Sequence, residues 1–123
     1  MQATIPLHTL ICTPDAEAQL ALQFFAQNHP AVAGVRRVNT WAEALGAAAH
    51  SELIFLDPRI IPSPEALNQI APGVSVILIA GDPHDCRRFR GTRVRSCLLT
   101  PVTWESFQWT MRSVQPMYAM ETA

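Results

Sequence analysis

Glu52-Leu53-Ile54-Phe55-Leu56-Asp57-Pro58 decides the fold. Four apolar residues in a row, closed by Asp-Pro, do not alternate as a half-solvated strand would. Continuous apolarity is the pattern of a strand covered on both faces, as in a parallel sheet between helices. Val74-Ser75-Val76-Ile77-Leu78-Ile79-Ala80 is a second such run, the most β-branched of the chain, ended by Gly81-Asp82-Pro83.

The rest of the chain alternates around these two runs. Thr9 to Thr13 reads as a first strand. Residues 14–28 read as a helix, with Thr13 as its cap, Pro14 in its first position, Asp15 and Glu17 at its positive end, and Leu20, Ala21, Phe24 and Phe25 on one broad face. His29-Pro30 stops it. Val35–Val38 is a short strand, and Thr40-Trp41-Ala42-Glu43 has the form of a capping box opening a helix to about His50. Ser63-Pro64-Glu65 starts a short helix closed by Pro72-Gly73. A brief helix covers about 84–90, a fifth strand runs from Val94 to Leu99, and a last helix from Thr103 to about Val114. The tail 115–123 has no periodicity and is expected to fray. Five β–α units imply a single domain over 1–123 with its core at about 8–114: an α/β fold with one parallel sheet and helices on both faces.

Composition excludes several functions. The chain of 123 residues carries nine basic and ten acidic residues, for a net charge of −1, and this disfavours broad attraction to nucleic acid or acidic membranes. All nine basic residues are arginine, which excludes Schiff bases, Walker-type phosphate loops and lysine bases. Three cysteines, Cys12, Cys86 and Cys97, include no CxxC pair, so a disulfide framework or zinc cluster has little support. Cys12 and Cys97 read as small core residues and Cys86 as exposed. No apolar run approaches the roughly 18 residues of a membrane span, and the first residues lack the basic and apolar regions of a signal peptide. A cytoplasmic protein in a reducing compartment is expected. His8, His29, His50 and His84 stand singly and suggest no metal site. Scattered glycines give no phosphate loop, so a flavin- or nucleotide-binding protein on the same α/β fold is only a lesser alternative.

In parallel α/β sheets the chemistry sits beyond the carboxyl ends of the strands. Those ends are Thr13-Pro14-Asp15, Asp57-Pro58-Arg59, Ala80-Gly81-Asp82 and Thr100-Pro101-Val102. The ordered stretches Glu52–Asp57 and Cys97-Leu98-Leu99-Thr100-Pro101-Val102 resemble the phosphoacceptor strand and the Leu-Leu-Lys-Pro-Val turn of response-regulator receiver domains. Thr103-Trp104-Glu105-Ser106-Phe107 looks most like receivers of LytTR-type regulators. The resemblance spans about residues 8–114 and implies a five-stranded flavodoxin-like sheet in the order 2-1-3-4-5, with Asp57 at the phosphoacceptor position. It also marks departures. Thr13 and Pro14 stand where the family holds Mg²⁺ with an acidic pair, Asp15 being acidic only beside them. Ala80 replaces a hydroxyl residue, Thr100 the lysine, and Cys97 the aromatic switch residue.

These departures imply a degenerate site. A phosphorylated carboxylate gains about two negative charges that need nearby cations, and Mg²⁺ usually needs one or two carboxylates plus waters. No cofactor, weak or absent Mg²⁺ binding and no enzymatic activity are therefore expected. The chain is expected to act through a protein partner, a sensor-kinase-like or output protein; a phosphorylation-competent regulator using Asp57 is the alternative. Arg87, Arg88, Arg90, Arg93 and Arg95 form a candidate docking patch for an acidic partner. At about 100° per residue, Trp104, Phe107, Met111 and Val114 form the packed face of the last helix and Trp109 lies nearly opposite. Trp109 is thus a candidate anchor in a partner complex or in a homodimer through the last two β–α units.

Overall fold

The apolar run at the centre of the sequence is the central strand of the sheet. In the computed structural model, which describes residues 6–119, the strands are β1 (Leu7–Cys12), β2 (Val32–Val38), β3 (Leu53–Leu56), β4 (Ser75–Ala80) and β5 (Ser96–Leu99). All neighbours pair in parallel, in the order β2-β1-β3-β4-β5. The helices are α1 (Ala16–Gln27), α2 (Trp41–Ala48), α3 (Pro83–Arg87) and α4 (Trp104–Ala119), with a 3-10 helix over Pro64–Gln69 between β3 and β4.

Every residue of β3 and β4 is buried. Alternate residues face opposite layers. Ile54 and Leu56 join Val76, Leu78, Leu67 and Phe89 on the side of α2, the 3-10 helix and α3. Leu53 and Phe55 join Ile77, Ile79, Leu22 and Phe107 on the side of α1 and α4. Phe107 anchors the second layer: its ring stacks on Phe55 and Trp104 at centroid distances of 5.9 and 5.8 Å.

Four expectations are corrected. Asp15, not Thr13, caps α1, its carboxylate accepting from the Glu17 and Ala18 amides. Leu20 and Phe24 of α1 are 61% and 64% exposed, because the helix packs through Ala18, Leu22 and Ala26. The small Ala18 and Ala26 flanking Leu22 at i, i+4, i+8 spacing let α1 lie close to the sheet, Ala21 and Phe25 pack at its border, and Leu20 and Phe24, two positions from the buried row, are turned outward. The last helix does not end at Val114 but continues to Ala119; the remainder of the expected tail, 120–123, lies outside the described residues. Finally, Cys86 and Cys97 are joined as a disulfide, with Cα atoms 6.3 Å apart. Cys97 is half-buried against α3 rather than a free core thiol.

Candidate functional site

Because β1 and β3 are adjacent and in register at Cys12 and Leu56, the residues that follow them meet. The Asp57 amide donates to the Cys12 carbonyl at 2.9 Å and continues the ladder by one bond. This fixes the Asp57 side chain beside Thr13, whose Oγ1 donates to Asp57 Oδ2 at 3.0 Å. The same hydroxyl accepts from the Asp15 amide at 3.1 Å, so the turn into α1 orients it.

Pro58 has no N–H to offer, and the next amide is that of Arg59. It donates to Asp57 Oδ1 at 2.9 Å, an Asx turn across the proline. The turn brings the Arg59 side chain back over the carboxylate. Its Nε donates to Oδ1 at 3.0 Å and its Nη2 to Oδ2 at 2.7 Å, a two-bond fork of the kind that makes arginine–carboxylate pairs strong. Each Asp57 oxygen therefore accepts two hydrogen bonds. Asp57 is 3% exposed, while the Arg59 side chain is 60% exposed.

Burial by itself would raise the pKa of Asp57. The side-chain and backbone hydrogen bonds from Arg59, the Thr13 hydroxyl and the Arg59 charge together outweigh it and hold the carboxyl below its ordinary value. Arg59 is in turn held more firmly protonated by Asp57, with smaller contributions from Asp15 and Asp85. Beneath the site, burial and then the Glu43 and Asp57 charges push the Cys12 thiol up to about 12, which leaves it inert.

The other strand ends surround this pair. Asp15 is occupied as the α1 cap. Ala80 is buried, its carbonyl accepting from the Thr100 amide at 2.9 Å. Thr100 lies against Gly81, where a Cβ would stand 3.5 Å from the threonine hydroxyl, and the Thr100–Pro101 peptide is cis. Asp15, Glu17, Thr100 and Pro101 line an adjoining cleft of about 430 Å³.

These residues do not fit an octahedral Mg²⁺. Both Asp57 oxygens are engaged by an internal cation and a hydroxyl, and Thr13 and Pro14 supply no carboxylate beside them. Among the described residues no group of three or more His, Cys, Asp or Glu could hold a metal ion.

Sequence reasoning named Arg59 at a strand end and gave it no role. A signal was present: it is the one basic residue between Arg37 and Arg87, and it stands two places after a strand-terminal Asp-Pro.

The five-arginine segment divides. The Arg93 guanidinium donates to the carbonyls of Ile70, Ala71 and Val74, stapling the β5 approach to the loop before β4. Arg95 donates to the Ser113 carbonyl at 3.0 Å. Arg87, Arg88 and Arg90 are exposed, Arg88 lying 5.4 Å from the Phe89 ring centroid. Arg93 thus acts within the fold, and the outward charge is narrower than the spacing suggests. Trp109 is 70% exposed, with the Arg112 guanidinium 5.3 Å from its ring centroid. With Leu99, Pro101 and Ser106 it lines an open cleft of about 530 Å³.

The fold is that of signal receiver domains. The receiver domain of an HD-domain protein from Pseudomonas fluorescens superposes with a TM-score of 0.79, at 16% identity over 96% of this chain and 93% of that one. The receiver domain of a Saccharomyces cerevisiae response regulator, solved in complex with a histidine phosphotransfer protein, gives 0.70 at 15% identity over 99% and 94%. A pilus assembly-related protein from Burkholderia pseudomallei gives 0.70 at 17% identity over 94% and 93%. No protein-family model matches the sequence, and no curated protein sequence matches it significantly. Among the described residues no helix is long and apolar enough to cross a membrane.

Proposed function

We propose that this chain is a receiver-like signal transduction module of the phosphorelay type with a degenerate phosphoacceptor site, and that it works through protein association without enzymatic turnover. The observation that carries this reading is the closure of Asp57. Its two oxygens accept four hydrogen bonds, three of them from Arg59. Attack on a phosphoryl donor needs a free oxygen, and the product adds about two negative charges at a buried position. One guanidinium already paired with the carboxylate is a poor replacement for a divalent cation and an ammonium. The partner is a sensor-kinase-like or output protein and the setting cytoplasmic. That one structural neighbour was solved with a histidine phosphotransfer protein supports a protein partner here.

Incubation with acetyl phosphate and Mg²⁺, read by intact mass at neutral pH, tests this directly. The expected result is no phosphoryl adduct on Asp57. A Mg²⁺-dependent adduct that disappears in Asp57→Ala would establish the second reading, a phosphorylation-competent regulator. One observation favours that second reading: the Arg59 side chain that covers Asp57 is itself 60% exposed.

The association face we assign to the last two β–α units, including Trp109, Leu99 and the outward Arg87, Arg88 and Arg90. Tryptophan is enriched among interface anchors. Trp109→Ala is expected to weaken a homodimer or partner complex by more than about 1 kcal/mol, roughly fivefold. Because the ring is mostly in solvent, thermal stability should change little. Analytical ultracentrifugation checks the dimer form, and a wild-type chain that stays monomeric at high micromolar concentration removes it.

A further inference from the structure

Cys86 lies in α3 and Cys97 in β5, eleven residues apart in sequence. Their spacing marks no pair, but the topology does. Cys97 alternates with the buried Leu98, which packs on the α1 and α4 side, so Cys97 faces the layer that contains Cys86 and Phe89. Both cysteines are half-buried. Together with Arg87, Arg90, Arg95 and Phe89 they line a surface cleft of about 280 Å³. Three arginines around the sulfur pair give the cleft a positive character that attracts anions. The third cysteine contrasts with them: Cys12 is buried beneath Asp57, remote from solvent.

We propose that Cys86 and Cys97 form a reversible dithiol–disulfide site, with a small anionic disulfide of the glutathione class as its redox partner, and that the oxidised form fastens α3 to β5. In the oxidising direction one cysteine thiolate attacks a sulfur of the small disulfide. A mixed disulfide forms and one small thiolate leaves. The second cysteine thiolate attacks the protein sulfur of that mixed disulfide and expels the other small thiolate. Two protein thiols are oxidised, one small disulfide is reduced to two thiols, and the two protons pass to those thiols. Reduction by excess small thiol is the same sequence reversed.

The closed loop, 87–96, carries Arg87, Arg88 and Arg90 outward. Its other attachments do not depend on sulfur: Phe89 is buried in the core, and Arg93 holds the carbonyls of Ile70, Ala71 and Val74. Reduction therefore loosens α3 and the position of those arginines without opening the sheet. The proposal is independent of whether Asp57 accepts a phosphoryl group.

The test equilibrates the full chain in glutathione buffers of stepped ratio, followed by alkylation and mass analysis. Cys86 and Cys97 should pass together from two labels to none in one two-electron transition, Cys12 being labelled only after denaturation. Cys12→Ser should leave that transition in place. Cys86→Ser should carry one glutathione per chain, on Cys97, in oxidising buffer. Hydrogen exchange should show residues 83–97 more protected in the oxidised form, with β1, β3 and β4 unchanged. Native Cys86 and Cys97 that stay alkylatable in oxidised glutathione, or that end as two separate glutathione adducts, overturn the site. Equal protection of 83–97 in both redox states overturns the fastening.

Discussion

Arg59→Ala is expected to lower the stability of the domain by about 1–3 kcal/mol at pH 7. Two of the four hydrogen bonds to the buried Asp57 carboxylate are lost, and each bond to a charged group is worth roughly 1.5–3 kcal/mol. The lower total allows for solvent screening of a guanidinium that is mostly exposed. Thermal unfolding should fall by roughly 3–6 °C per kcal/mol for a domain of this size.

The pH dependence identifies the cause. In the wild type the folded pKa of Asp57 lies below its ordinary 3.8. Its contribution to stability is therefore present above that value and is lost as pH falls through the lower, folded one. Without Arg59, burial is the largest remaining influence and raises the pKa. The deficit of the variant should be full near pH 7 and shrink in acid, where both proteins carry a neutral Asp57. A deficit of constant size from pH 7 to pH 3 would show that Arg59 acts through packing rather than through the carboxylate.

Returning the missing carboxylates is expected to create a metal site. Thr13→Asp with Pro14→Asp places two acids beside Asp57, and Arg59→Ala added to them releases the carboxylate from its internal cation. The triple variant should bind Mg²⁺ at least tenfold more tightly than the wild type by isothermal titration. The wild type itself should bind no tighter than about 1 mM, roughly −4 kcal/mol. A wild type that saturates below 1 mM contradicts the account, as does a folded triple variant with unchanged affinity.

How far the sequence carries depends on what kind of force sets each feature. Strand β3 is read to the residue, because Leu53–Leu56 is uninterrupted and Asp57-Pro58 terminates it. Strand β4 is read within one residue for the same reason. The strand order also follows, from the resemblance at Asp57 and Thr100-Pro101, and the sheet has it. The α1 face was half read: Ala21 and Phe25 pack against the core, but Leu20 and Phe24 do not, because hydrophobicity ranks them above Ala18 and Ala26 whereas close approach of helix to sheet selects the small side chains. The solvent-facing position of Trp109 was legible, since helical geometry alone sets it opposite Trp104, Phe107, Met111 and Val114; the last three are buried, while Trp104 at the helix start is 37% exposed.

The meeting of Thr13 and Asp57 at adjacent strand ends was legible, and the Arg59 cover over Asp57 was not. By the resemblance alone, Thr13, Pro14 and Thr100 fall where receivers carry an acidic pair and a lysine. That Arg59 covers Asp57 depends on a turn across Pro58 that folds the side chain back, a local geometry that no periodicity reports. The disulfide was missed for a related reason. Its two cysteines meet only through the β4–α3–β5 crossover, and the spacing of eleven residues carries no such information. Arg93 reads as one charge among five, and only the position of the loop before β4 turns it inward.

The central claim is that Arg59 and Thr13 close Asp57 against metal and phosphoryl chemistry. Its most direct test is a titration of the wild-type chain with beryllofluoride in millimolar Mg²⁺, followed by amide NMR with Trp fluorescence in parallel. The account predicts that the amides of Thr13, Asp57, Arg59 and Thr100 keep their positions throughout. Saturable, Mg²⁺-dependent shifts centred on Asp57 and Arg59, absent in Asp57→Ala, would contradict it.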